Sequence, residues 1–250
     1  AEAVRLLRAA GVPPEALQLL PGAGETVGAA LVADPRVDGV VFTGSTEVAE
    51  IIHRSLAARG NVALIAETGG QNAMIVDSSA LPEQVVADVL SSAFDSAGQR
   101  CSALRVLFLQ EEIADRVLDM LAGAMHELAV GDPAILATDV GPIIDAAAKA
   151  GLDAHVARLE RTARLVARTP MPEGLGGHFV APVAFEIGSI RELEREIFGP
   201  VLHVVRFPGA ELAGVVDDIN ATGYGLTLGI HSRLDSTIDF IVARARAGNV

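Results

Sequence analysis

Two side chains in this sequence have the chemistry of a nucleophile and a general base, and they stand 34 positions apart. Cys101 is the only cysteine among 250 residues. It sits in Ser96-Ala97-Gly98-Gln99-Arg100-Cys101-Ser102, a polar, glycine-containing stretch between a helical pattern and an apolar run. A lone cysteine is ordinarily a small buried hydrophobe, yet these flanks are an odd place for a core residue. Loops held on a rigid scaffold are where nucleophiles sit. A thiolate forms near neutral pH only in a positive local potential, and Arg100 supplies one if its side chain turns inward rather than away. Glu67 ends the apolar run Val62-Ala63-Leu64-Ile65-Ala66 and precedes Thr68-Gly69-Gly70. A carboxylate at the C-terminal end of a strand, beside glycines that let other groups approach, suits a general base. The plain alternative is a surface carboxylate at a turn.

Two further segments suggest ligand contacts. Gly44-Ser45-Thr46 follows a short apolar run and opens a helical pattern. Such a turn gathers free backbone N–H groups and the positive end of the helix dipole, which is a phosphate site in outline. An ordinary N-cap uses the same residues. Glu196-Ile197-Phe198-Gly199-Pro200 offers a carboxylate to bond a ribose and a ring to wall a nicotinamide. It also reads as a helix-to-strand turn punctuated by Gly-Pro. Gly22 to Gly28 carries three glycines but one residue too many for the G-x-G-x-x-G dinucleotide fingerprint.

The elements that must position these residues alternate short apolar runs with helical patterns, which predicts an α/β fold with parallel strands. Helices are expected over residues 2–10, 25–33, 46–58, 82–95, 111–129, 146–161, 211–219 and 236–247. Strands are expected over 17–20, 40–42, 62–66, 73–76, 105–109, 180–187, 201–206 and 226–231. The first third has the rhythm of a doubly wound nucleotide-binding sheet. The only seam suggested by the pattern lies near Gly69-Gly70, which divides residues 1–69 from 70–250.

Composition narrows the function classes. Half the residues are hydrophobic and a fifth are charged, as in a folded globular chain. No apolar run reaches the roughly 20 residues of a membrane span. The net charge of −13 argues against nucleic acid as a partner. Lys149 is the only lysine, a composition bias without evident chemistry. A single cysteine permits no intrachain disulfide and fits a reducing, cytoplasmic setting. The six histidines (53, 126, 155, 178, 203 and 231) show no spacing of the metal-ligand kind, so no metal is expected. Neither end reads as a boundary: residues 1–8 look like a helix entered partway, and 247–250 stop short of a strand.

Together, in this order and at this spacing, the segments resemble the aldehyde dehydrogenase superfamily along the whole chain. Phe42-Thr43-Gly44-Ser45 is similar to the family's pyrophosphate-contacting turn, with Ser45 the contact. Glu67-Thr68-Gly69-Gly70 is similar to its general-base motif, and Gly98-Gln99-Arg100-Cys101 to its nucleophile motif. Glu196 and Phe198 fall where the family holds the nicotinamide ribose and ring, and Asn220 to Leu226 matches a further family stretch. The resemblance implies a truncated Rossmann-type NAD-binding domain followed by a truncated α/β catalytic domain. It also implies NAD as cofactor, with Gly44, Ser45, Thr68, Glu196 and Phe198 holding it.

Within the superfamily the likeness is strongest to the proline-utilisation subgroup, whose dehydrogenase domain oxidises glutamate γ-semialdehyde (pyrroline-5-carboxylate) to glutamate. Residues 67–79, 94–103, 196–205 and 219–231 carry it, and Ala49 and Thr68 depart from the wider superfamily in the direction of that subgroup. There the residue at Ser102 is associated with the substrate carboxylate. An oxyanion-hole asparagine, a carboxylate-gripping loop and an oligomerisation flap are expected outside these 250 residues. So is any FAD-bearing proline dehydrogenase or DNA-binding module, and a homo-oligomer belongs to the longer protein. Three rivals stand beside this reading: an aldehyde dehydrogenase of another substrate class, a thiol acyltransferase or hydrolase, and a non-catalytic scaffold of the same fold. The thiol enzyme normally pairs its cysteine with a histidine, and no histidine here is marked out for that.

Overall fold

A computed structural model describes residues 1–250. The chain forms two compact units, Ala1–Thr68 and Gly69–Val250.

In the first unit, helix α1 (Glu2–Ala9) precedes an irregular stretch through residues 17–20. The strand expected there does not form. Leu17, Leu19 and Leu20 are apolar, but Pro21 and Gly22 follow at once and no neighbouring strand pairs with them. A single π-turn over Gly24–Gly28 leads into the short helix α2 (Ala29–Ala33). Strand β1 (Gly39–Thr43) then feeds helix α3 (Thr46–Ala57), and β2 (Ala63–Glu67) returns parallel to β1, with Thr43 opposite Glu67. Helix α3 buries Ala49, Ile52 and Leu56, one apolar stripe at helical spacing. Alternate residues of a strand face opposite sides. Val41 and Ile65, on strands β1 and β2, remain 79% and 58% exposed. Parallel strands are ordinarily covered on both faces, so these two residues mark a bare apolar face.

The second unit is built on a six-stranded sheet. Its strands are β3 (Ala73–Val76), β4 (Val106–Gln110), β5 (Arg164–Arg168), β6 (Val183–Glu186), β7 (Val201–Phe207) and β8 (Leu228–His231), in the order β5-β6-β7-β4-β3-β8. All pair in parallel except β5, which runs antiparallel to β6 with a bulge at Leu165/Ala167. Successive residues of β3, β4 and β7 are buried, so both faces of the central sheet are covered. Helices α4 (Pro82–Phe94), α5 (Glu111–His126), α6 (Ala146–Thr162), α7 (Leu212–Ala221) and α8 (Asp235–Arg244) connect and follow the strands. Val85, Val89 and Phe94 of α4 and Val117, Leu121 and Met125 of α5 supply much of the core. Strand β5 has no counterpart among the expected elements, because its Arg-Leu-Val-Ala-Arg continues the charged pattern of α6 without punctuation.

Two histidines meet across 48 positions. His203 lies wholly buried in β7, and its Nε2 stands 2.9 Å from Nε2 of His155 on α6. The proton positions follow from the partners. His203 Nδ1 faces the Arg105 carbonyl oxygen at 2.9 Å, which only accepts, so Nδ1 donates and Nε2 is the acceptor for His155 Nε2–H. His155 Nδ1 is then the acceptor facing Arg158 Nη2 at 3.4 Å. Both rings are neutral. Burial, together with Arg158 and Arg195, pulls His155 down to about 4. Burial outweighs the Arg105 carbonyl and brings His203 to about 3. Folded-state values below the unfolded 6.5 mean that the unfolded chain takes up protons first as pH falls. The stability contributed by the pair is therefore complete above about 6.5 and is lost as pH drops from there toward 4 and 3. Melting temperatures measured between pH 7.5 and 4.5 are expected to fall less steeply in His155→Gln than in the wild type. Equal slopes contradict this assignment.

Candidate active site

The loop after α4 is wound against its natural hand. Ser96, Ala97 and Gly98 have φ of 57°, 55° and 65°, three consecutive left-handed residues directly before Gln99-Arg100-Cys101. For Ser96 and Ala97 this costs about 1–2 kcal/mol each, and such strain persists only where surrounding structure over-determines it. The restraints are visible. Ser91 Oγ donates to Asp95 Oδ2 at 2.8 Å, Gln99 Nε2 donates to the Pro142 carbonyl at 3.1 Å, and Gln99 Oε1 accepts from Ile144 N at 2.9 Å. At Gly98 a Cβ would stand 2.3 Å from the Gly199 carbonyl oxygen and 2.9 Å from that of Ala93. Backbone on two sides and a positive φ both demand glycine there. Gly98→Ala is expected to destabilise the protein by about 1–3 kcal/mol, read as a lowered unfolding midpoint. An unchanged midpoint contradicts the crowding.

The loop's product is an exposed thiol: Cys101 lies at its end with its side chain accessible. The backbone from Cys101 onward is pinned by Asn72, which is buried just before β3. Its Nδ2 donates to the carbonyls of Cys101 (2.6 Å) and Ala103 (2.9 Å), and its Oδ1 accepts from Thr227 N at 3.2 Å. Arg100 reaches back to the last turn of α4. Its Nη2 donates to the Ser91 carbonyl at 2.8 Å, and its Nε is buried without a partner.

A different cation occupies the centre. Arg105, fully buried before β4, spreads its guanidinium over four acceptors. Nη1 donates to Gly98 O (2.6 Å) and Gly199 O (3.3 Å). Nη2 donates to Arg100 O (3.0 Å) and Glu196 Oε1 (2.9 Å), and Nε to Glu196 Oε1 (3.2 Å). Burial pulls this guanidinium below its ordinary value; Glu196 and the anionic form of Cys101 oppose the shift. Arginine stays charged regardless. The Phe198 ring, 45% exposed, has its centroid 5.1 Å from the Arg105 guanidinium carbon. Glu196 Oε2 lies so close over Gly69 that a Cβ would stand 1.6 Å from it, so any larger residue at 69 would have to push the Glu196 carboxylate aside. Cys101, Glu196 and Phe198 are thus gathered around one buried arginine.

Ser102 lines a polar cleft of ≈660 Å³ with Ser91, Ser92, Arg100, Asp88 and His231, the last two 3.2 Å apart. In the first unit, Gly44 N donates to the Glu67 carbonyl at 3.1 Å, which places the Gly44 turn and Glu67 side by side at the C-terminal ends of β1 and β2, with Thr68 next. Ser45 caps α3, its Oγ accepting from Val48 N at 3.3 Å.

Arg105 and Asn72 escaped the sequence reading, although a signal existed for each. Arg105 stands directly before Val-Leu-Phe-Leu, and Asn72 before Ala-Met-Ile-Val. A polar or charged residue leading into a fully buried strand must find partners, and here the partners are the site itself.

Comparison with known proteins identifies the family. The aldehyde dehydrogenase family model matches residues 1–250. The chain is 56% identical over 261 aligned residues to the bifunctional protein PutA of Klebsiella aerogenes, covering 100% of this chain and 20% of that protein. A solved variant of proline utilization A (PutA) from Bradyrhizobium japonicum matches with a TM-score of 0.95 at 57% identity, over 99% of this chain and 25% of that one. The 1-pyrroline-5-carboxylate dehydrogenase from Thermus, solved with bound NAD, matches with a TM-score of 0.91 at 34% identity, over 99% of this chain and 49% of that one. The chain therefore spans about a fifth of the length of the curated PutA relative. No helix is long and apolar enough to cross a membrane. The chain belongs to the aldehyde dehydrogenase family.

Proposed function

We propose that this chain carries the nucleophile, the general base and part of the cofactor site of an NAD-dependent L-glutamate γ-semialdehyde dehydrogenase, the enzyme of the second step of proline catabolism. Residues 1–69 are read as the C-terminal part of its NAD-binding domain and 70–250 as its catalytic domain. The observation that carries the reading is the exposed thiol of Cys101, held at the end of a strained left-handed turn by the same buried arginine that grips Glu196.

The residues present fit a nicotinamide dinucleotide. Helix α3 begins directly after the Gly44-Ser45 turn; Ser45 Oγ takes the Val48 N–H, and the first-turn N–H groups left without intrahelical partners favour an anion such as a pyrophosphate. Glu196 presents a carboxylate whose Oε1 is already held by Arg105, beside the accessible Phe198 ring. In this reading Gly44, Ser45 and Thr68 serve the pyrophosphate side, and Glu196 and Phe198 the nicotinamide side. NAD, when bound, accepts the hydride.

The steps assigned to the chain's own side chains balance. Cys101, as thiolate, adds to the aldehyde carbon, and its backbone N–H helps hold the developing oxyanion. When that oxyanion collapses, the C–H bond gives up its electron pair as hydride and a thioester to Cys101 remains. Glu67 takes a proton from water, the oxygen attacks the thioester carbon, and the thiolate leaves. Aldehyde, water and NAD⁺ yield carboxylate, reduced cofactor and two protons. Ser102, on the wall of the polar cleft, is assigned to the substrate's carboxylate, with the Arg100 charge beside it. A cytoplasmic setting agrees with the one unpaired cysteine.

Substrate class is tested by comparing kcat/KM of the complete protein for glutamate γ-semialdehyde with that for aldehydes of similar length lacking the α-amino acid. A preference of at least ~100-fold for the semialdehyde is expected. Equal rates exclude the assignment and favour a dehydrogenase of another substrate class.

A further inference from the structure

Arg105 has no role in the chemistry described above, yet its surroundings are too specific for a core filler. Its main chain is fixed on two sides: the N–H donates to the Asn72 carbonyl at 2.9 Å, and the carbonyl accepts from His203 N and His203 Nδ1, each at 2.9 Å. The side chain therefore springs from a rigid point between β3 and β7. From there it reaches the nucleophile loop at Gly98 and Arg100, and the Glu196 loop at Glu196 and Gly199. Three nitrogens engage four acceptors, a pattern that the guanidinium fork permits and a lysine ammonium cannot reproduce. Carbonyls alone do not require a cation. A buried arginine matched to one carboxylate oxygen fixes the orientation of that carboxylate, and Oε2 is left on the other side, over Gly69.

We propose that Arg105 is a positioning residue that locks the Cys101 loop and the Glu196–Phe198 loop into one rigid body, so that sulfur and nicotinamide-side groups keep a fixed separation. The proposal rests on the dehydrogenase reading. Glu196 is then oriented by Arg105, and the left-handed turn is held closed by the Nη1 bond to Gly98. The buried cation also lies within electrostatic reach of Cys101. A rearrangement of either loop must be transmitted to the other.

The test uses the complete protein with Arg105→Lys, Glu196→Gln and Cys101→Ser. Three quantities are read: kcat, KM for NAD, and the rate of Cys101 alkylation by iodoacetamide at one pH without cofactor. Glu196→Gln is expected to raise KM for NAD while leaving alkylation within about twofold. Arg105→Lys, which keeps the charge and loses the fork, is expected to lower kcat at least ~30-fold, raise KM for NAD ~10-fold and change the alkylation rate at least ~5-fold. A purely structural arginine lowers only the unfolding midpoint, with all three quantities normal in the folded fraction, and that result overturns the proposal. Where Arg105→Lys fails to fold, Gly199→Ala displaces the other loop instead, because its Cβ would stand 2.5 Å from the Leu152 side chain while its carbonyl is held by Arg105, and alkylation and KM for NAD unchanged in it overturn the proposal as well. The control separates the two ideas. Dehydrogenase activity surviving in Cys101→Ser removes the dehydrogenase reading, whereas an inactive Cys101→Ser beside a normal Arg105→Lys removes only the role given to Arg105.

Discussion

Replacing Cys101 by serine in the complete protein is expected to abolish aldehyde-dependent NADH formation, with a fall in kcat of at least ~10⁴-fold. The exchange removes one sulfur's polarisability and acidity while keeping nearly the same shape. The loop carbonyls that accept from Asn72 and Arg105 belong to the backbone, so the turn is expected to persist. The loss is therefore chemical. A serine hydroxyl at this position has no base within the loop to deprotonate it, and a neutral hydroxyl adds poorly to an aldehyde. Each tenfold loss is about 1.4 kcal/mol of transition-state stabilisation, so the expected effect exceeds any change in folding that an exposed side chain can cause. Stopped-flow absorbance at the NADH band, with protein folding checked by circular dichroism, measures it. Retention of more than a tenth of the wild-type rate contradicts the assignment of the nucleophile.

Replacing Glu67 by glutamine is expected to act on a different step. Turnover is expected to fall about 10²–10⁴-fold, the range of a lost general base, while the first turnover survives. Addition of the thiol and departure of hydride need no base at Glu67; only hydrolysis does. The variant is therefore expected to produce a burst of NADH approaching one equivalent per site, followed by a slow phase. The backbone role of this residue is untouched, because its contact with Gly44 runs through the main-chain carbonyl. Loss of burst and steady state together points to Glu67 serving addition or binding instead.

The sequence was most readable where chemistry and punctuation coincide. Cys101 sits among Gly, Gln and Ser, Glu67 ends an apolar run against two glycines, and Glu196-Ile197-Phe198-Gly199-Pro200 announces a turn. Each expectation about these segments concerns local pattern, and the structure places Cys101, Glu196 and Phe198 around one centre. The mixed α/β architecture with parallel strands was legible for the same reason, since β3 and the first four residues of β4 are unbroken apolar runs and β7 is apolar apart from His203 and Arg206.

What escaped depends on partners distant in sequence. Residues 17–20 have a strand's composition but no neighbour to pair with, while β5 looks like a continuation of α6 and becomes a strand because β6 accepts it. His155 and His203, 48 positions apart, gave no spacing signal, and their neutral, hydrogen-bonded state follows from burial, His203 in β7 and His155 on α6. Arg100, adjacent to Cys101, was the natural source of positive potential from sequence. The structure gives Arg100 to the Ser91 carbonyl and seats Arg105 at the centre instead.

A covalent acyl group on Cys101, removed with the help of Glu67, is the central chemical expectation. Mass spectrometry of the Glu67→Gln variant, quenched in acid shortly after mixing with glutamate γ-semialdehyde and NAD, tests this directly. The predicted result is a mass increase equal to the acyl group of the substrate on the peptide containing Cys101, in step with the NADH burst and reversed by hydroxylamine. NADH formed with that peptide unmodified would contradict the account.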